Sequence, residues 1–289
     1  MATAVLPIDT LAPKQNRVWR KLRRSRAAWI GGSIVITFVL VALFAPLIAP
    51  YDPLKSNFLL IRKPPSALYW LGTDELGRDI VSRLFYGGRA SLMAGVVSVG
   101  IAVFIGVPIG LAAGWYGGWF DTLVSRITDA LLACPFLILA IAFAAILGPS
   151  LTNAMIAIGL SAVPIFIRLA RGQAISVKAE DYIEGARAVG VRDGWILIRH
   201  LAPNTLPPIV VQSTLFMAQA IILEASLSFL GLGQQPPQAS WGAMLNTAKN
   251  FMEQAPWMSV SPGIAICLVV IGFNILGDGL RDALDPKEA

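Results

Sequence analysis

Charged side chains are scarce in this chain of 289 residues: Asp, Glu, Lys and Arg together make up only 14% of it. A soluble globular domain carries about 25% charged residues, so the composition disfavours both a water-soluble enzyme and a disordered protein. Hydrophobic residues make up 56% of the chain, and the mean hydropathy is +0.67. So much apolar surface is expected to face lipid.

Residues that bind metals, form disulfides or bind nucleotides are also scarce. A single histidine, His200, leaves no multi-histidine centre, and no metal site is expected. Cys134 and Cys267 lie in separate apolar runs, where we expect small core or lipid-facing residues rather than a disulfide framework. The dipeptide Gly-Lys does not occur, so the chain has no P-loop and is not expected to hydrolyse ATP. No catalytic constellation is visible.

Six segments are long and apolar enough to cross a membrane, which requires about 20 apolar residues. They are predicted at 27–49, 91–114, 123–147, 152–170, 208–230 and 260–280. Three of them contain prolines that predict kinks, namely Pro108, Pro135 and Pro164. The sequence therefore predicts an all-α, polytopic membrane protein with six transmembrane helices.

Lys and Arg indicate the orientation, because seven of the 23 lie within 14–26, directly before the first span. Cations of this kind stay in the cytoplasm, and six spans bring the other end back to the same side. We therefore expect five parts in order: a cytoplasmic segment 1–26, an uncleaved anchor 27–49, an outside loop 50–90, a transmembrane domain 91–281 with a cytoplasmic stretch 171–206, and a cytoplasmic tail 282–289.

The outside loop contains the stretch LGTDELGRDIVSR at 71–83. Thr73 or Asp74 fits a helix N-cap, and apolar residues recur at helical spacing from Leu76 onward. We expect an amphipathic helix over 72–83 that leads into the second span. Contact with a partner protein and packing against that span are equally open as its role.

The cytoplasmic stretch 171–206 is too long for a simple turn. Gly190 fits the C′ position that ends a helix, Asp193 fits the cap of a second short helix, and Pro203 fits the end of that helix. The first of these helices carries one apolar stripe at helical spacing: Ala179, Tyr182, Ile183, Ala186 and Val189. The pattern alone leaves open a solvated connection and a docking site for a partner.

Polar residues within the predicted spans are costly in lipid and usually face a cavity or a partner. Glu224 in the fifth span is open to three roles: lining or gating a pathway, an interhelical hydrogen bond, or substrate contact. Asn274 in the sixth span is a second pathway candidate. Arg126 and Asp129, near the start of the third span, are expected to pair with each other at i, i+3.

Several motifs resemble those of one known family. The EAA motif of ABC importer permeases is similar to a set of residues in 171–206, in which Gly185 stands where the pattern has alanine: Glu184, Gly185, Ala186, Arg187, Gly190, Ile198, His200 and Pro203. The runs EASLSFLGLGQQPPQASWGAML and FNILGDGLRDALDP resemble the C-type permeases of dipeptide, oligopeptide, glutathione and nickel importers. So does an outside motif that contains Gly72, Thr73, Asp74, Gly77, Arg78 and Asp79.

The resemblance, which covers about 17–286, implies a type I ABC importer permease core formed by spans two to six, with the first span packed peripherally. It implies a bacterial inner-membrane location and several partners: a second, B-type permease, two ATPases that bind ATP and magnesium, a solute-binding protein outside, and lipid. No nucleic acid partner and no cofactor of this chain are expected. Glu184 and Arg187 would contact an ATPase, and Gly190 would set the angle between the two cytoplasmic helices.

Peptides are the expected cargo, with glutathione, nickel or another small solute as the alternative. An ion-coupled secondary transporter would need several deep carboxylates and inverted repeats, whereas Glu224 is the one deep carboxylate and no repeat is visible. A membrane enzyme is disfavoured by the scarcity of histidine, cysteine and clustered carboxylates.

The orientation can be tested by cysteine labelling in intact cells, after replacement of Cys134 and Cys267. We expect Thr10→Cys to resist a membrane-impermeant reagent and Ser66→Cys, in the outside loop, to react. Labelling of residue 10 from outside would overturn the topology.

Overall fold

The structure, a computed structural model, describes residues 20–284, so the predicted segments 1–26 and 282–289 lie largely outside the described residues. Five long helices are α1 (Arg26–Leu43), α3 (Ile80–Tyr116), α6 (Leu151–Lys178), α9 (Ala202–Phe229) and α11 (Trp257–Leu284). The shorter helices are α2 (Ala45–Ile48), α4 (Gly118–Ala133), α5 (Phe136–Leu147), α7 (Asp181–Ala188), α8 (Asp193–Ile196) and α10 (Trp241–Ala248). Single 3₁₀ turns occupy Phe58–Leu60 and Lys249–Phe251.

Five of the predicted membrane spans are confirmed by length and composition, because five helical runs are long and apolar enough to cross a membrane. Helices α4 and α5 pass the same test only as a pair, and they bend by 94° where they meet. The bend lies at Cys134 and Pro135, because proline lacks the N–H that would continue the helix. Pro108 and Pro164, by contrast, lie within uninterrupted helices. Cys134 and Cys267 are exposed thiols, which favours the lipid-facing alternative.

The predicted helix over 72–83 is wrong for all but its last residues, because α3 begins only at Ile80. Gly72 and Gly77 have φ angles of +78° and +72°, in a region that a right-handed helix never uses. The N-cap is Asp79, whose carboxylate accepts a hydrogen bond from the Ser82 N–H at 2.8 Å. The apolar spacing that suggested a helix therefore crosses a turn before the true helix starts.

Small residues let the central helices approach closely, as membrane helices commonly do. Gly106, Gly110 and Gly114 form one stripe on α3 that faces α6. A Cβ atom on Gly114 would lie 2.7 Å from the Cβ of Ala174, which is too close for any side chain. These contacts join the second half of α3 to the second half of α6.

The first span is peripheral and packs against the last one. Only Ala28, Gly31, Val35 and Ala42 of α1 are buried. A Cβ atom on Gly31 would lie 2.7 Å from the carbonyl oxygen of Gly272 on α11, whereas one on Gly32 would meet nothing closer than 3.9 Å. The contact between α1 and α11 therefore depends on the missing side chain of Gly31.

This neighbouring pair of glycines offers a test of the packing. Gly31→Ala should lower the free energy of unfolding by about 1–3 kcal/mol, because the methyl group meets backbone that cannot yield. Gly32→Ala, the matched control, should leave it unchanged or raise it by up to about 1 kcal/mol through helix propensity. Thermal unfolding of the purified protein in detergent measures both, and equal midpoints would contradict the α1–α11 contact.

Candidate functional site

Helix α7 and the turn after it form a well-defined element between the ends of α6 and α8. Gly190 has a φ of +80°, which confirms that it occupies the C′ position. Its N–H donates to the Arg187 carbonyl at 2.9 Å, and the Val191 N–H donates to the Ala186 carbonyl at 3.1 Å. These two bonds are those of a Schellman motif, so the last carbonyls of α7 are satisfied without a partner chain.

The predicted apolar stripe is only partly correct, because α7 rests on the rest of the chain mainly through one residue. Ile183 is fully buried, in a cluster that includes Trp115 and Ile196. Ala179 caps the end of α6 instead of joining α7, while Tyr182 is 46% exposed and Val189 is 80% exposed. A helix of eight residues is too short to bury a stripe of three turns, so its remaining apolar side chains face outward.

The second half of the stretch differs from the prediction. Asp193 is the first residue of α8 rather than its cap, which is Arg192. Pro203 does not end a helix, since α8, a π-helical turn at Leu197–Leu201 and α9 form one run into the fifth span. Pro203 lies in the first turn of α9, where a proline is tolerated because the first N–H groups of a helix lack an intrahelical acceptor.

The residues of the EAA-like motif point in different directions. Glu184 is exposed on the outer side of α7, and a methyl group on Gly185 would meet no atom within 4 Å, so the alanine of the family pattern would fit there. Arg187 keeps 40% of its side chain exposed, and its guanidinium carbon lies 4.4 Å from the centroid of the Trp115 ring. His200 is half-buried in the π-helical turn, where its carbonyl accepts a hydrogen bond from the Asn204 side chain at 2.7 Å.

The outside motif at the opposite end of the bundle is a buried ion network. Asp74 accepts hydrogen bonds from the backbone N–H groups of Leu76 and Arg78, both at 2.9 Å, and from the Arg78 side chain at 2.7 Å. The Arg83 guanidinium lies 3.2 Å from the same carboxylate. Burial raises the pKa of Glu75, and the neighbouring charge of Asp74 raises it further. This set of contacts fixes the loop before α3.

Glu224 and Asn274, the two pathway candidates, have opposite environments. Glu224 is fully buried and accepts hydrogen bonds from the hydroxyls of Ser91 at 2.8 Å and Ser228 at 2.7 Å. Because Ser91 lies on α3, this is the geometry of an interhelical hydrogen bond, the second of the three alternatives. Asn274 is exposed on α11 and is free to face a pathway or another subunit.

The predicted pair between Arg126 and Asp129 is wrong. Asp129 on α4 pairs instead with Arg168 on α6, at 2.5 Å, and a second pair joins Asp121 to Arg171 between the same helices. Both pairs join α4 to α6. The Asp129–Arg168 pair is exposed, so it contributes at most about 1 kcal/mol to this contact.

Comparison with known proteins identifies the family. A profile described as "Binding-protein-dependent transport system inner membrane component" matches residues 106–289, and one described as "N-terminal TM domain of oligopeptide transport permease C" matches residues 16–65. The chain belongs to this family of transport permeases. A dipeptide transport system permease from Alkalihalophilus pseudofirmus is 48% identical over 272 residues, covering 94% of this chain and 90% of the relative.

A second relative and a solved structure agree with this membership. A glutathione transport system permease from Shigella flexneri is 49% identical over 282 residues, covering 96% of this chain and 92% of the relative. The inward-facing MetNI methionine ABC transporter, in its native crystal form, matches with a TM-score of 0.58 at 21% identity, over 71% of this chain and 98% of the other. This structural match shows the fold of the permease, which is that of a type I ABC importer.

Sequence reasoning missed residues of the permease that become close only in three dimensions. The Lys178 ammonium donates a hydrogen bond to the Trp115 carbonyl, although the two residues are 63 positions apart, and Asp121 is 50 positions from its partner Arg171. A tryptophan at the end of a long span was the one signal in the sequence that could have indicated Trp115.

An open cavity of 860 Å³ lies at the end of the bundle opposite α7. None of the predicted site residues lines it; its lining includes Tyr51, Tyr86, Arg89 and Gln234.

Two glycines test whether Gly190 ends α7 as the geometry indicates. A methyl group at either Gly185 or Gly190 would meet no atom within 4 Å, so the two positions differ chiefly in backbone conformation. Gly190→Ala should cost about 1–2 kcal/mol because φ is positive there, and amide hydrogen exchange over 181–191 should accelerate about tenfold. Gly185→Ala should slow that exchange, since alanine favours the helix. Equal effects would contradict the assignment.

Proposed function

We propose that this permease is one of two membrane subunits of an ATP-driven ABC importer, and that together they form the pathway for di- or oligopeptides across the bacterial cytoplasmic membrane. Relatives named for dipeptide transport and for glutathione transport, at 48% and 49% identity, support this cargo class. Glutathione is itself a small peptide and fits the same relatives, so it is the second candidate. Uptake of a labelled dipeptide, with and without excess glutathione, distinguishes the two.

Helix α7 is the observation on which the proposal depends. It is anchored by buried Ile183 and closed by its own Schellman motif. Glu184 on α7, Val189 at its end and Trp195 on α8 are all exposed in this stretch. Exposed apolar side chains beside an acidic one suit a protein interface. A rigid helix of this kind can pass a rigid-body movement to the spans, which a loose loop cannot do.

The energy then comes from partner subunits. The chain contains no P-loop, so two ATPases would bind ATP and magnesium and dock on α7 and its counterpart in a second, B-type permease. In this arrangement α7 and both termini are cytoplasmic, and a solute-binding protein delivers cargo at the opposite end. The exposed face of α11 that carries Asn274 is our candidate for lining the pathway. Glu224 instead joins α9 to α3 through its hydrogen bond with Ser91.

Charge reversal at Glu184 tests the dock. In the complex purified with its ATPases, Glu184→Lys should weaken ATPase association about tenfold or more, because it replaces an attraction with a repulsion at an interface. Uptake should fall in parallel, whereas the amount of permease in the membrane should not change.

Glu253→Lys is the matched control, since it makes the same reversal at an exposed residue at the other end of the bundle. It should leave ATPase association at the wild-type value. Wild-type uptake and wild-type association in Glu184→Lys would remove the docking role of α7.

A further inference from the structure

Trp115 lies where α7 meets the spans. It belongs to the last turn of α3, is only 1% exposed, and packs in the same cluster as Ile183 of α7 and Ile196 of α8. The cytoplasmic segment therefore rests on the end of α3 as well as on α6, from which it continues. A movement of α7 has two physical routes into the bundle: along the chain into α6, and across this contact into α3.

Two cations of this segment contact Trp115, one just before α7 and one in its last turn. The Lys178 ammonium, before α7, donates to the Trp115 carbonyl at 2.7 Å and so satisfies one of the last carbonyls of α3. The Arg187 guanidinium, in the last turn of α7, lies 4.4 Å from the centroid of the ring, within the range of a cation–π contact. The backbone carbonyl and the ring of Trp115 therefore each contact a cation of the cytoplasmic segment.

The contact of Arg187 with Trp115 follows from its position. It is four residues after Ile183, so the two side chains are neighbours on the helix surface. The Asp193 carboxylate lies 3.7 Å from the Arg187 Nε. Arg187 keeps 40% of its side chain accessible, and Glu184, three residues before it, is also exposed. Of the two side chains expected from the family resemblance to contact an ATPase, Arg187 is the one that also contacts the end of α3.

We propose that Trp115 and Arg187 are positioning residues that pass the movement of α7 into α3, a role that rests on the proposed function of α7 as the ATPase dock. The α3 helix has 37 residues and is therefore about 55 Å long, enough to carry a tilt from one end of the bundle to the other. Gly117, with a φ of +67°, separates α3 from α4, and Gly118, the first residue of α4, has a φ of +63°. The Arg187 side chain joins α7 to the end of α3.

The test uses the assembled complex, with its ATPases and binding protein, in proteoliposomes that contain a dipeptide cargo. Two quantities are measured for each variant: the ATPase subunits retained on purification, and the dipeptide moved per ATP hydrolysed. Arg187→Gln should retain the ATPases and their hydrolysis but move about fivefold less dipeptide per ATP, the lower end of typical coupling between sites. Arg187→Lys should recover part of this loss, because it keeps a cation at position 187, whereas the Lys178 ammonium, 5.7 Å from the ring centroid, is present in every variant.

Arg192→Gln is the matched control, since it removes the same charge from an exposed position in the same segment. It should keep the wild-type ratio of dipeptide to ATP.

Two variants of Trp115 test the ring. Trp115→Phe, which keeps a π face, should lower the dipeptide moved per ATP less than Trp115→Leu does. Combining Trp115→Leu with Arg187→Gln should be no worse than Trp115→Leu alone, because the two side chains act through one contact. If the Trp115 variants do not fold, the three arginine variants decide.

Two results would overturn the proposal. Loss of the ATPases from Arg187→Gln would make Arg187 a docking contact, and an unchanged dipeptide-to-ATP ratio would remove it from the coupling altogether. Failure of the proposed function is seen separately, as a wild-type complex that contains no ATPase, or as full ATPase retention in Glu184→Lys.

Discussion

The lipid core offers no hydrogen-bond partner to a peptide group, so every N–H and C=O within it must be satisfied by the chain itself. The spans are helical for that reason, and close contacts between them depend on glycines such as Gly31 and Gly114, whose missing side chains let backbones meet. Departures from regular helix are confined to places with a local cause. The 94° bend between α4 and α5 lies at Pro135, and the π-helical turn at Leu197–Leu201 precedes Pro203.

The same constraint explains the form of α7. Only outside the lipid can the chain leave the helix of one span, form an eight-residue helix and enter the next. A helix this short is unstable by itself, and it is held by buried Ile183, by the Schellman motif at Gly190 and by Arg187 on Trp115. These contacts hold α7 in place and leave Glu184 exposed.

Local patterns in the sequence predicted what local physics decides. Long apolar runs located the five spans and the bent pair of α4 and α5, and Gly190 marked the end of α7 because a positive φ there favours glycine. The outside motif differs from its predicted helix because Gly72 and Gly77 adopt positive φ angles, which apolar spacing does not reveal. Pairings between residues far apart in the sequence depend on the fold and were not predictable. Asp129 pairs with Arg168 rather than with Arg126, and Trp115 contacts Lys178 and Arg187.

The central claim is that the exposed face of α7 is the surface on which an ATPase docks. A photoreactive amino acid placed at position 184 of the permease, in the assembled complex, tests it most directly. The account predicts a crosslink from position 184 to an ATPase subunit and none from position 253, at the other end of the bundle. A complex that transports cargo yet crosslinks position 184 only to lipid, or to no protein, would contradict it.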